Sequence, residues 1–146
     1  MDLNQLTLPA ADLDRSVEFY RTLGLRLIVD SVPRYARLEC PDGGSTLSLH
    51  HLPDARPAEG LTIYFECADL DSRVEELKAV GIRFESDPED QRWLWREARL
   101  RDPDGHELCL FWAGDARRHP PWRVEDRRRL PAGRAAGEPS DSTTGC

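Results

Sequence analysis

The sequence has no apolar run long enough to cross a membrane. Its start, MDLNQLTLPA, has neither the basic stretch nor the long apolar core of a secretion signal. These absences exclude a membrane partner and set the expectation of a cytoplasmic protein. Positive charge is also short: 20 Lys plus Arg against 27 Asp plus Glu leave a net charge of −7. Nucleic acid is therefore not an expected partner, since it would need a basic face. No C-x-x-C pair occurs; Cys40, Cys67, Cys109 and Cys146 are scattered, which in the absence of a secretion signal reads as reduced thiols rather than two disulfides. Lysine is nearly missing, with Lys78 alone, and we read that as codon bias of a GC-rich genome.

What is present fits one compact domain. The chain has 146 residues, 39% hydrophobic and 32% charged. The expected domain spans residues 1–122. The remainder, 123–146, is rich in Pro, Gly, Ser and Thr, lacks apolar periodicity and reads as a disordered tail whose Arg127–Arg129 cluster is expected to be solvated, the other reading being contact with an acidic partner.

One phrase is written twice. ADLDRSVEFYRTLG (11–24) and ADLDSRVEELKAVG (68–81) share seven of fourteen positions. An alternating stretch precedes each copy, with Leu6 and Leu8 or Ile63 and Phe65 on one face, which predicts a half-buried strand. Asp12 and Asp69 are expected N-caps. Leu13, Val17, Tyr20 and Leu23 fall at helical spacing, as do Leu70, Val74, Leu77 and Val80, and Gly24 and Gly81 suit the left-handed position after a helix. LRLIVD and IRFES then predict further strands. YARLECPDGGSTLSLHH (35–51) matches EARLRDPDGHELCLFW (97–112), each strand, Pro-Asp-Gly turn, strand. The expected fold is α+β: two tandem βαβββ modules, about 3–55 and 59–113, forming a curved sheet around a central cleft. A module cannot bury both sheet faces alone, so the seam between copies is the expected ligand site.

The duplicated module, DLDRSVEFYRTLG and the DPDG turn before the last strand resemble the vicinal oxygen chelate superfamily of glyoxalase I, bleomycin-resistance proteins and extradiol dioxygenases, over residues 3 to about 113. NQLTLP, TLSLH, YFE, WLWREA and PPWR resemble a glyoxalase-like subgroup of unnamed chemistry. The resemblance implies a metal chelating vicinal oxygens of a substrate, with ligands from the first and last strands of each module. Here those four slots hold Gln5, Ser48, Thr62 and Cys109, of which only Gln5 is an ordinary ligand; thiolate is soft where the family prefers oxygen and imidazole. The resemblance also implies a homodimer, with modules exchanged in some relatives.

His50, one pleat beyond Ser48, is the strongest substitute metal ligand and, as a titratable imidazole, a catalytic candidate; the other reading is a hydrogen-bonded histidine at a strand end. With Gln5 it would hold one divalent ion (Fe, Mn, Zn or Ni), or the cleft works with none. Glu66, Glu97 and Glu107 are catalytic acid–base candidates, the blander reading being pairing with Arg37, Arg99 and Arg101. Ligand-binding candidates are Tyr35, Arg37, Ser48, Thr62, Tyr64, Trp95, Arg99, Cys109 and Phe111. In QRWLWREARL, Trp93 and Trp95 are expected at the cleft or its rim with Leu94 on the helix side, and the rings would stack on a planar ligand. His51 and His106 read as structural, and Trp122 as packing the chain end onto the body. The polar cleft leans the reading to an enzyme, lyase, isomerase or dioxygenase-like, acting on a small oxygenated metabolite. Weak metal slots favour the alternative, a metal-free protein that sequesters a drug or metabolite.

Overall fold

The computed structural model describes residues 1–124, so the tail expectation falls almost wholly outside them. The first module runs β1 (Gln5–Ala10), α1 (Leu13–Thr22), β2 (Arg26–Ser31), β3 (Tyr35–Glu39) and β4 (Thr46–His51). The second runs β5 (Thr62–Glu66), α2 (Leu70–Ala79), β6 (Glu89–Asp90), β7 (Arg96–Arg101) and β8 (Glu107–Trp112), followed by a 3₁₀ turn at Gly114–Arg117. Each module is a mixed four-stranded sheet, ordered β1-β4-β3-β2 and β5-β8-β7-β6, with β1 parallel to β4 and β5 parallel to β8. The two sheets are not closed on each other, and β1 and β5 stand at their edges.

The repeat accounts for the helices. Asp12 caps α1, its Oδ1 accepting from Arg15 N at 3.0 Å. Asp69 makes no side-chain cap bond, against expectation, so α2 starts without that stabilisation. Gly24 and Gly81 follow the helices at φ +100° and +96°, where a side chain would be strained. Leu13, Val17, Tyr20, Leu70, Val74 and Leu77 are buried, whereas Val80, at the C-cap, is exposed.

Two strand expectations fail locally. IRFES does not form a strand: only Phe84 bridges Leu100, and the second module's edge strand is the pair Glu89–Asp90. Ser86 breaks the ladder by accepting from Arg99 N through its hydroxyl at 3.2 Å, and Pro88 has no N–H to give. The alternation also does not extend through WLW. Leu94 sits at φ +68° in a turn closed by its N–H to Gln91 O at 2.9 Å, and is exposed rather than helix-facing. Trp122 is likewise exposed.

One continuous core joins the modules. It contains the helix-facing residues of both sheets, among them Leu8, Leu38, Leu49, Leu100, Leu108 and Leu110, with the apolar stripes of both helices. The second module's turn, Asp102 to His106, bonds to the first. Asp102 Oδ2 accepts from the Tyr20 hydroxyl at 2.9 Å, and Asp104 accepts from Ala11 N at 2.8 Å and Ser16 Oγ at 2.9 Å. His106 Nε2 lies 3.1 Å from Pro9 O. The modules thus pack through their helix sides, which leaves the opposite face of each sheet free to carry chemistry.

Candidate functional site

Strand alternation puts the candidate residues on those open faces, in two clusters. On the first, register places Tyr35 opposite His50 and Arg37 opposite Ser48. The amide of Gln5 donates to Ser48 Oγ at 3.3 Å, Ser48 Oγ and the Tyr35 hydroxyl are 2.9 Å apart, and Arg37 Nε donates to the Tyr35 oxygen at 2.8 Å. The hydrogen bond with Ser48, and then the Arg37 guanidinium, hold the Tyr35 phenol below its usual range. His50 is exposed at the strand end and joins none of these bonds, and His51 beside it is exposed too.

On the second face, Trp95 stacks on Phe111 with centroids 4.7 Å apart and planes 23° from parallel. Tyr64 meets both rings edge-on, at 5.9 Å and 5.6 Å, and is 46% exposed, whereas Phe111 is buried and Trp95 half-buried, so Tyr64 is the ring most open to a ligand. Beside it runs a polar ladder. Glu97, 3% exposed, accepts from Trp93 Nε1 at 2.7 Å and from Arg99 at 3.0 Å. Glu107 accepts from Thr62 Oγ1 at 2.8 Å and from Arg99. These bonds, the Thr62 hydroxyl first and then the arginines, hold the Glu107 carboxyl below the usual carboxylate range. Burial, with Glu97 beside it, pushes the Cys109 thiol up to about 12, so it is a protonated packing group at neutral pH. Glu66 stands apart, paired with Arg117 at 3.2 Å.

Among the described residues no hydrogen bond or ion pair joins the two clusters; the chain brings together the members of each face but not the faces. A groove of about 1170 Å³ does run along the seam, with Gln5 and Thr46 on one wall and Thr62, Tyr64 and Glu66 on the other. Ser72 and Arg73 of α2 also line it. Sequence reasoning missed these two because only the docking of the modules brings a helix start to the seam. It also missed the role of Asp102. The signal was in the repeat itself, where the matching residue of the first copy is Cys40.

The residues do not fit a divalent ion. Gln5 lies opposite Thr46, four residues before His50 on β4, a separation of roughly 13 Å along the strand. The Gln5 amide is instead engaged by Ser48, and among the described residues no hydrogen bond joins Gln5 to His50. Of the four slots, Ser48 and Thr62 are neutral hydroxyls already bonded to Tyr35 and Glu107, and Cys109 keeps its proton. Among the described residues no group of three or more His, Cys, Asp or Glu is placed to hold a metal.

Comparison with known proteins gives a consistent picture of the fold. Residues 2–110 match the model of the Glyoxalase/Bleomycin resistance protein/Dioxygenase superfamily. A solved glyoxalase/bleomycin resistance protein/dioxygenase from Nocardioides is 28% identical, with a TM-score of 0.67 over 86% of this chain and 90% of that one. A bleomycin-binding protein solved in complex with bleomycin is also 28% identical, with a TM-score of 0.62 over 77% of this chain and 98% of its own. A lactoylglutathione lyase from Agrobacterium tumefaciens, 20% identical with a TM-score of 0.64 over 76% of this chain and 92% of its own, shares the fold.

Proposed function

The chain belongs to the Glyoxalase/Bleomycin resistance protein/Dioxygenase superfamily, and from that premise we propose that it captures a planar, largely apolar small molecule on the aromatic face of its second module, without a metal. The observation that carries this reading is the Trp95–Phe111 stack with Tyr64 standing edge-on and half-exposed beside it. Tyr64 and the half-buried Trp95, held rigid on the buried Phe111, offer ring area at little conformational cost. The likeness to a bleomycin-binding protein supports it.

Chemistry is what makes us favour capture over the expected enzyme. Glu97 and Glu107 are fixed as acceptors by Trp93, Thr62 and Arg99, and Cys109 is protonated. His50 has no orienting partner among the described residues, which a catalytic base would need. The three described cysteines are free thiols, which suits a reducing cytoplasm. The working unit we propose is a homodimer. The unpaired edges of β1 and β5 and the two open faces are surfaces a second copy would cover. Light scattering should then give twice 16.6 kDa.

The test is a tryptophan-fluorescence titration with metal-free bleomycin and a panel of planar aromatic compounds. Saturable quenching is expected, unchanged by EDTA and by His50→Ala, and weakened at least about tenfold by Trp95→Ala or Tyr64→Ala. Binding that survives both aromatic truncations, or that requires an added metal, refutes the reading.

A further inference from the structure

The duplicated frame provides an internal control for one arginine. Arg99 and Arg37 occupy the same place in the two copies, on the open face, in the strand before the last. Arg99 holds two carboxylates, Glu97 and Glu107. The residues matching those acids in the first copy are Tyr35 and Thr46, both neutral. The nearest acid on that face, Glu39, is taken by Arg26 at 3.0 Å.

Arg37 is consequently an exception. Among the described residues five cations are half-buried: Arg37, Arg73, Lys78, Arg96 and Arg99. The other four each hold at least one carboxylate, and Arg37 holds none. Its guanidinium gives only Nε–H, to the Tyr35 oxygen, and the two terminal nitrogens have no acceptor among the described residues. A partly desolvated cation without a counter-ion is costly unless an anion reaches it.

The neighbouring hydroxyls point the same way. Tyr35 and Ser48 have two hydroxyl hydrogens between them, and one serves their mutual bond. The other bonds reaching the pair, from Arg37 and Gln5, arrive as donors. Whichever direction the mutual bond runs, one hydroxyl hydrogen is left to give. The lowered Tyr35 phenol agrees with an oxygen already receiving hydrogen bonds. The cluster thus keeps N–H and O–H donors to spare and holds no carboxylate among the described residues.

We propose that Arg37, with Tyr35 and Ser48, forms a binding subsite on the open face of the first module for the oxyanion of a small molecule, a carboxylate or a phosphate. The terminal N–H pair of Arg37 takes two anion oxygens as a fork, and the spare hydroxyl hydrogen donates to the same group. The subsite does not depend on the aromatic face, which lies on the other module and is read by a different probe.

The experiment is an NMR titration of the isotope-labelled full chain with sodium acetate and, separately, inorganic phosphate, at ionic strength held constant with chloride. Saturable shifts confined to Tyr35, Arg37 and Ser48, in the millimolar range, are expected in the wild-type protein. Arg37→Gln should weaken them at least about tenfold, whereas Arg34→Gln, removing an exposed neighbour, should leave them unchanged. A stronger response to acetate identifies a carboxylate, and a stronger response to phosphate identifies a phosphate. Absence of a saturable shift at Arg37, shifts centred elsewhere, or equal affinity in Arg37→Gln overturns the proposal. Because the wild-type map alone can do this, a misfolded variant does not shield it.

Discussion

Removing one oxygen, by Tyr20→Phe, tests how the two modules are held together. Tyr20 is fully buried on α1, and its hydroxyl donates to Asp102 Oδ2 at 2.9 Å, across the junction between the modules. Asp102, itself 6% exposed, also accepts from His106 N at 2.8 Å and Asp104 N at 3.0 Å, both through Oδ1. Phenylalanine fills the same space, so the substitution makes no large cavity. It takes from a buried carboxylate the single donor on its Oδ2 and leaves two bonds on Oδ1. A hydrogen bond to a charged group contributes about 1.5–3 kcal/mol. For a domain of this size that is a fall in Tm of roughly 6–12 °C.

Acid should shrink this penalty. Burial raises the Asp102 carboxyl above its ordinary value, and the bonds from Tyr20 and the His106 N–H partly offset that. A carboxyl raised in the folded state adds stability at low pH that is lost as pH climbs through its folded value. Deleting the Tyr20 hydroxyl removes an offset and raises it further. The variant therefore recovers relative to wild type as pH falls and Asp102 takes a proton, the difference shrinking towards the roughly 0.5–1.5 kcal/mol of a neutral bond. Urea unfolding of both proteins at several values between pH 7 and pH 4 gives the comparison. A penalty below about 0.5 kcal/mol at pH 7, or one that grows on acidification, refutes the account of the junction.

Three further perturbations bear on particular residues. Gly24→Ala should cost more than Gly81→Ala in thermal unfolding. Both stand at positive φ, a strain of about 1–2 kcal/mol, but only at Gly24 would the new Cβ meet a neighbour, Arg73 Nη2 at 3.3 Å. Arg99→Met should destabilise by about 1–3 kcal/mol, because it takes the counter-ion from the buried Glu97 while leaving the bond from Trp93, and Arg99 itself is 35% exposed; adding Glu97→Gln should restore part of that loss, and a double variant no better than the single one would contradict it. Alkylation mapped by mass spectrometry should reach Cys109 last of the three described cysteines and label it readily only in urea, since it is fully buried and its thiol is pushed up to about 12.

Much of the fold could be read from period and punctuation. The alternation around Leu47, Leu49, Leu108 and Leu110 marks the core-facing side because a strand has only two faces, and all four are buried. Helix spans followed from Asp12, the apolar stripes and the two glycines, since those signals are local. The expectations that failed depended on non-local or competing bonds. The second module's edge strand shrinks because Ser86 offers its hydroxyl to the ladder, and Leu94 enters a left-handed turn that no propensity demands. The separation of Gln5 from His50 has a related origin: pleat counting within β4 is local, but the register of β1 against β4, which hands the Gln5 amide to Ser48, is set by tertiary packing.

The differences between the two copies say more about function than their identities do. Shared positions, such as Gly24 and Gly81 or Leu38 and Leu100, serve helix ends and core, and a duplicated module must keep them to fold twice. Positions that the fold leaves free have diverged in pairs. Cys40 lines the seam groove, while its counterpart Asp102 ties the modules together. Tyr35 and Thr46 leave Arg37 without a carboxylate, while Glu97 and Glu107 occupy Arg99. His50 ends a polar edge, while Phe111 anchors an aromatic stack. Each exchange swaps a neutral or aromatic group for an ionisable one on the same frame. The first face becomes a donor array around Arg37, and the second becomes an aromatic surface flanked by saturated ion pairs. The proposed aromatic and anion subsites therefore sit one on each copy, built from the positions at which the copies differ.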